Sequence, residues 1–230
     1  MNSYIKTITL LTIFVFFLNS ALKAQQRILN AQYITEKPKI DGLLTEKFWT
    51  EIYSETNFIQ YEPYNGQKST QKTNVKFAYG ENAIYIAAIC KTDNEIYNIL
   101  TKRDDFGQSD YFGFYLDPYN TGLSGYGFFV TAAGVQVDIK VDNYNQNFDW
   151  DAVWYSNVTK IDSFYVVEMR IPYSAFRFPK KNSQDWSINF YRNIQQVREL
   201  STWNYVDNSK NGIVNQMGTV KNLKNIKPVI

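Results

Sequence analysis

Apolar and mixed positions alternate along residues 110–117. Phe112, Phe114 and Leu116 share one face, and Tyr111, Gly113, Tyr115 and Asp117 share the other. A period of two is the mark of a strand whose two faces meet different surroundings. Comparable segments occupy 75–79, 83–90, 125–131, 135–141, 152–158, 164–171 and 186–194, with shorter ones near Trp203 and at 217–223. Turn residues separate them, among them Gly80, Glu81 and Asn82, then Pro118, Asn120 and Gly122, then Ala133 and Gly134. One stretch, 45–52, reads as a helix, with Phe48, Trp49 and Ile52 on one stripe and Thr45 placed to cap it. About ten strands with one or two short helices predict an all-β fold, an antiparallel β-sandwich. No repeat, low-complexity tract or linker interrupts 25–230, which is expected to form a single domain.

The first 24 residues follow a different pattern. Lys6 precedes an apolar run at 8–18, and small residues lead to Ala24 before Gln25 and Gln26. That order predicts a secretory signal peptide cut after Ala24, with a retained anchor as the alternative. The run is shorter than the ~20 residues that span a bilayer comfortably. Loss of Lys6 and Lys23 would leave equal numbers of acidic and basic side chains. Export to the periplasm or outer-membrane surface of a Gram-negative bacterium is the expected destination.

Composition narrows the chemistry. Lys and Arg total 24 against 22 Asp and Glu, a formal charge of +2, which argues against nucleic acid as a partner. There is no histidine, so His-based catalysis and His metal or haem ligation are excluded. The single cysteine, Cys90, excludes an internal disulfide and is expected to be a small buried hydrophobe. Aromatic residues reach 17%, led by 18 tyrosines, a density suited to strands and to stacking on ring-shaped ligands.

The run Ile40, Asp41, Gly42, Leu43, Leu44, Thr45, Glu46, Lys47, Phe48, Trp49 resembles the opening motif of family 9 carbohydrate-binding modules. Later segments agree in order: 75–79 before Ala83, Ile84, Tyr85 and Ile86, then 109–117, 165–172, 186–190 and 217–220. The resemblance covers roughly 30–225. Arg103 with Asp104, 150–154 and 176–178 resemble a subgroup found at the front of larger outer-membrane proteins, ahead of a membrane β-barrel. The resemblance implies a β-sandwich that binds sugar between two aromatic side chains. It places the first of these nearest Phe106 and the second in the loop 208–212, which has no aromatic residue. The polar sugar ligands it implies fall at Gly113, near Phe129 and near Tyr191, so the implied sugar contacts are largely replaced.

Alternation puts Tyr111, Tyr115, Phe129 and Tyr191 on the face away from the core, with Asn189 beside them. Phe112, Phe114, Phe128, Val130, Ile188 and Phe190 should be core. The aromatic face, with Gly113 leaving a shallow gap and the loops of Phe106 and Trp150 at its border, is the expected ligand surface. A face covered by neighbouring loops is the alternative. Asn143, Asn145, Asn147, Asp149 and Asp151 recur at every second position. On an extended segment, Asn145, Asn147, Asp149 and Asp151 would form a candidate calcium site, with a solvated loop as the alternative. Asp104, Asp105, Asp149 and Asp151 offer carboxyls for acid–base pairs, but no catalytic residue is assigned and no other cofactor is expected. Glu168, Arg170, Arg103 and Arg192 are expected to form a structural ion-pair set. The functional expectation is an exported, monomeric, non-catalytic module that binds glycan or oligosaccharide, accessory to polysaccharide breakdown. The competing reading is an interaction domain docked on an outer-membrane β-barrel protein.

Overall fold

The computed structural model describes residues 26–93 and 95–229; the expected signal peptide at 1–24 lies outside them. In chain order the strands are β1 (Ile28–Asn30), β2 (Gln32–Tyr33), β3 (Ile59–Glu62), β4 (Thr73–Tyr79), β5 (Ala83–Lys91), β6 (Tyr111–Asp117) and β7 (Ser124–Thr131). They continue with β8 (Gln136–Asp142), β9 (Gln146–Asn147), β10 (Tyr155–Ile161), β11 (Phe164–Pro172), β12 (Ser183–Ile194), β13 (Glu199–Thr202) and β14 (Gly218–Lys224). Among the described residues one α-helix, α1, spans Lys47–Glu51, and short 3-10 helices include Val214–Gln216.

The strands form two sheets, as the alternation predicts. A nine-stranded sheet runs β1-β14-β12-β6-β7-β8-β9, with β13 paired to β12 and β3 to β13, and a five-stranded sheet runs β10-β11-β5-β4-β2. Most pairs are antiparallel. The exceptions are β1 on β14 and β2 on β4, so that adjacent short strands join the edges of both sheets. Strands β1, β2, β3 and β9 have two to four residues, too few for alternation to show in the sequence.

The core fills the space between the sheets. Phe112, Phe114 and Leu116 from β6 and Trp186, Ile188 and Phe190 from β12 are fully buried, as are Phe128 and Val130 of β7. They face Val167, Met169 and Ile171 of β11, also at 0% exposure. Cys90 is buried in the same layer.

A smaller apolar cluster lies on the outer side of the five-stranded sheet, where α1 packs Trp49 and Ile52 against Ala78, Tyr85 and Ala87. Helix α1 is shorter than the predicted 45–52, and Glu46 rather than Thr45 occupies the cap position, without a side-chain cap bond. A buried carboxylate takes over the anchoring role. Glu168 accepts the backbone N–H of Asp41 and Gly42 at 3.1 Å each and the indole N–H of Trp49 at 3.2 Å. Gly42 has φ +77°, and a Cβ there would sit 2.6 Å from Thr159 Oγ1, so glycine is required.

Candidate functional site

The expected aromatic surface is a second core layer, which corrects its assignment as an open face. Tyr115 is 5% exposed, Phe129 3%, Tyr191 4% and Asn189 0%. Val214 and Met217 cover them, with Ile213 and Leu200 packed at the margin. The rings contact one another edge to face: Tyr115 lies 5.0 Å from Phe129 and 5.1 Å from Tyr191, centroid to centroid. The gap at Gly113 is filled, because a Cβ there would stand 2.3 Å from the Phe129 ring. Asn189 is spent on the backbone of Asn204, accepting its N–H at 2.8 Å and donating to its carbonyl at 2.9 Å. Burial also pushes the phenol of Tyr111 up to about 12 and those of Tyr115 and Tyr191 well above their ordinary value. Alternation identified the face correctly but could not see that the segment 213–217 folds over it.

Phe106 and Tyr111 are half-buried and meet at 4.4 Å, their rings tilted by 38°, at the rim of this layer. Trp150 is not on that rim. It packs against the main core through Tyr126 at 5.1 Å and Phe128 at 5.9 Å, with Lys140 over its ring. The expected site residues therefore do not converge on one accessible surface.

The candidate calcium segment is not extended. Bends at 143–144 and 148–149 flank the two-residue strand β9, so the alternate oxygens lack the shared direction that motivated the expectation. Asn147 accepts the N–H of Asp149 at 2.8 Å, and Asp151 lies 3.5 Å from Arg103. Asn145 and Asp149 lie on the exposed loop around them. Among the described residues, no group of three or more Asp, Glu or Cys side chains could hold a metal ion.

The expected ion-pair set also dissolves. Glu168 is held by N–H donors under α1. Arg192, fully buried, donates to the carbonyls of Lys72 and Lys91 and to Thr73 Oγ1. Among the described residues, Arg103 alone of the four makes an ion pair, with residues outside the set.

That pair organises the most promising surface feature. Arg103 donates to Asp138 Oδ1 at 2.5 Å, to Gln136 Oε1 at 2.7 Å and to the carbonyl of Ala152 at 3.0 Å. The Asp138 side chain is wholly buried and also accepts the N–H of Ala152 and the indole N–H of Trp154. Burial raises its carboxyl above the ordinary value, although the N–H donors and Arg103 oppose the shift. Gln136, at the start of β8, donates to Trp154 O at 3.3 Å and to Ser156 Oγ at 3.0 Å. These bonds tie one sheet to the edge strand of the other. They also explain why β10 starts at Tyr155 rather than at the predicted Ala152: residues 152–154 are engaged with Asp138 and Gln136.

An open groove of about 660 Å³ runs over this junction, lined by Leu100, Arg103, Gln136, Tyr155, Ser156 and Arg170 among others. Tyr155 is 48% exposed and pairs with Arg170 across β10 and β11; the Arg170 guanidinium carbon sits 5.0 Å over its ring. The groove thus offers a tyrosine that is half exposed, with the Arg170 guanidinium over one side of its ring, beside fixed hydrogen-bonding side chains. A second groove of about 680 Å³ lies along 56–59 and 68–73, but its aromatic residue, Phe58, is buried. Arg103, Arg170 and the 150–154 segment stand out in the sequence. Gln136, Tyr155 and Ser156 do not, apart from the outward-facing tyrosine on an edge strand.

No protein-family model matches the chain, and no curated protein matches it in sequence. Solved structures do match in fold. A family 9 carbohydrate-binding module from Caldicellulosiruptor kristjanssonii in complex with cellotriose aligns over 89% of this chain and 95% of its own, at 17% identity and a TM-score of 0.62. The structure of such a module from that organism with glucose aligns over 89% and 97%, at 16% identity and 0.61. A candidate carbohydrate-binding protein from Bacteroides uniformis aligns over 88% and 100%, at 13% identity and 0.68. At these identities the likeness establishes the fold: a sandwich of the family 9 type, as the sequence motifs indicated.

Proposed function

We propose that this domain is a non-catalytic carbohydrate-binding module and that it holds oligosaccharide in the groove beside Tyr155. The observation that carries the reading is the pairing of a family 9-type sandwich with a groove that combines an exposed ring and prepositioned polar groups. Sugar recognition rests on that combination, apolar ring faces against aromatic side chains and hydroxyls against oriented donors and acceptors. The cellotriose and glucose complexes of the similar modules support the ligand class. Carboxylates that could suggest hydrolysis have other roles: Asp104 accepts the N–H of Asp138, and Asp105 that of Gly107. Export by the 1–24 segment, and residence in the periplasm or at the outer membrane, complete the proposal. There the module would raise the local concentration of a polysaccharide for a partner enzyme.

Isothermal titration against cellulose, xylan and pectin oligomers tests the reading. We expect binding to at least one, weakened about two- to tenfold by Tyr155→Ala. Absence of binding across the panel by a folded protein would overturn it. A second reading, docking on an outer-membrane barrel, is favoured by Leu100 at 78% and Val153 at 73% exposure near the same groove. Recovery of a barrel protein with the domain from envelope extracts, lost in Leu100→Ser, supports that alternative.

A further inference from the structure

The groove contains a cation that no carboxylate answers. Its two charged lining residues are both arginines, and no acidic side chain lines it. Arg103 is committed to Asp138, Gln136 and the Ala152 carbonyl. Arg170 has only the face of Tyr155, and among the described residues it forms no ion pair. Ser156 accepts the Gln136 amide, which leaves its own hydroxyl proton free to donate. The strongest side-chain group left unspent along the groove is therefore a donor, the planar guanidinium fork of Arg170.

We propose that the groove selects an acidic oligosaccharide, a uronate whose carboxylate accepts two parallel N–H bonds from Arg170 while its ring lies against Tyr155. The guanidinium fork matches the two oxygens of a carboxylate, and charge-assisted bonds are roughly twice as strong as neutral ones. This inference rests on the carbohydrate reading of the same groove.

The test compares trigalacturonate, its methyl ester and cellotriose by isothermal titration with the whole protein at low ionic strength. We expect the acid to bind about tenfold more tightly than the ester. That ratio should fall with added salt and collapse toward unity in Arg170→Gln. Arg170→Lys should restore only part of it, because an ammonium lacks the fork; circular dichroism establishes that both variants fold. Equal affinity for acid and ester, or tighter binding of cellotriose, would overturn the acidic selectivity and leave the carbohydrate reading intact. Failure to bind any of the three, or the wider oligomer panel, would overturn both.

Discussion

Trp49 donates its indole N–H to Oε1 of Glu168 at 3.2 Å across 119 positions of chain, while Oε2 of the same carboxylate holds the N–H groups of Asp41 and Gly42. This one side chain thus collects the beginning and the end of the motif Ile40, Asp41, Gly42 … Trp49 and fastens it to the five-stranded sheet. Once the carboxyl is ionised, above about pH 7, both oxygens act as acceptors, so in that range Glu168→Gln forces an amide N–H against a donor. We expect a loss of about 1–3 kcal/mol of stability, measured by denaturant unfolding. Trp49→Phe removes a single donor and should cost less. A Gln variant as stable as the parent would remove Glu168 from this role.

Two buried carboxyls predict how stability varies with pH. Burial raises Glu168 from 4.5 to about 7 and Asp110 from 3.8 to about 6, against the N–H bonds each accepts. The folded form then keeps its proton to a higher pH than the unfolded chain. The corresponding stability is present at low pH and is lost as pH rises through the interval from each ordinary value to its raised one. The melting temperature should fall between about pH 4 and about pH 7. Asp110→Asn should flatten part of that slope, since Oδ2 of Asp110 has no hydrogen-bond partner while Oδ1 accepts the Gln195 N–H. An unchanged slope in this variant would contradict the assignment.

Burial of the aromatic layer makes it a stability element. Tyr191→Ala should cost about 3–5 kcal/mol, the range for deleting a large buried ring. Tyr191→Phe should be neutral or stabilising, because among the described residues the buried hydroxyl meets no partner in hydrogen-bonding geometry and Asn189 beside it is engaged with Asn204. Thermal melts of the two variants separate this from a ligand-facing role, in which neither change would affect folding. Gly113→Ala should cost about 3 kcal/mol or more, since the added Cβ would lie 2.4 Å from the Phe128 carbonyl oxygen as well as against the Phe129 ring.

Arg103→Met isolates the charge pair beneath the groove. The Asp138 side chain is fully buried while that of Arg103 is 39% exposed, so part of the attraction is screened by water. We expect a loss of about 2–3 kcal/mol, below the ~3–5 kcal/mol of a fully buried pair that loses one partner. In the double-mutant cycle with Asp138→Asn, the two losses should be strongly non-additive. Simple additivity would mean that the two residues act independently.

Period-two alternation was sufficient to identify the main strands and the inward residues Phe112, Phe114, Ile188 and Phe190, because burying one face of a sheet constrains each second side chain directly. The Asp41, Gly42 and Trp49 motif was legible through its resemblance to the family 9 opening, and the structure supplies the reason, since a left-handed turn and a buried indole each demand a particular residue type. Alternation also separated Tyr115, Phe129 and Tyr191 from that core, but it records only which face a side chain takes. Whether the second face meets water depended on Val214 and Met217, 85 residues or more along the chain from Phe129, whose packing no local pattern encodes. The groove had the same origin. Arg103, Gln136, Tyr155 and Arg170 come from a loop and three strands in two sheets, and only closure of the sandwich at the junction of β8 and β10 makes them neighbours.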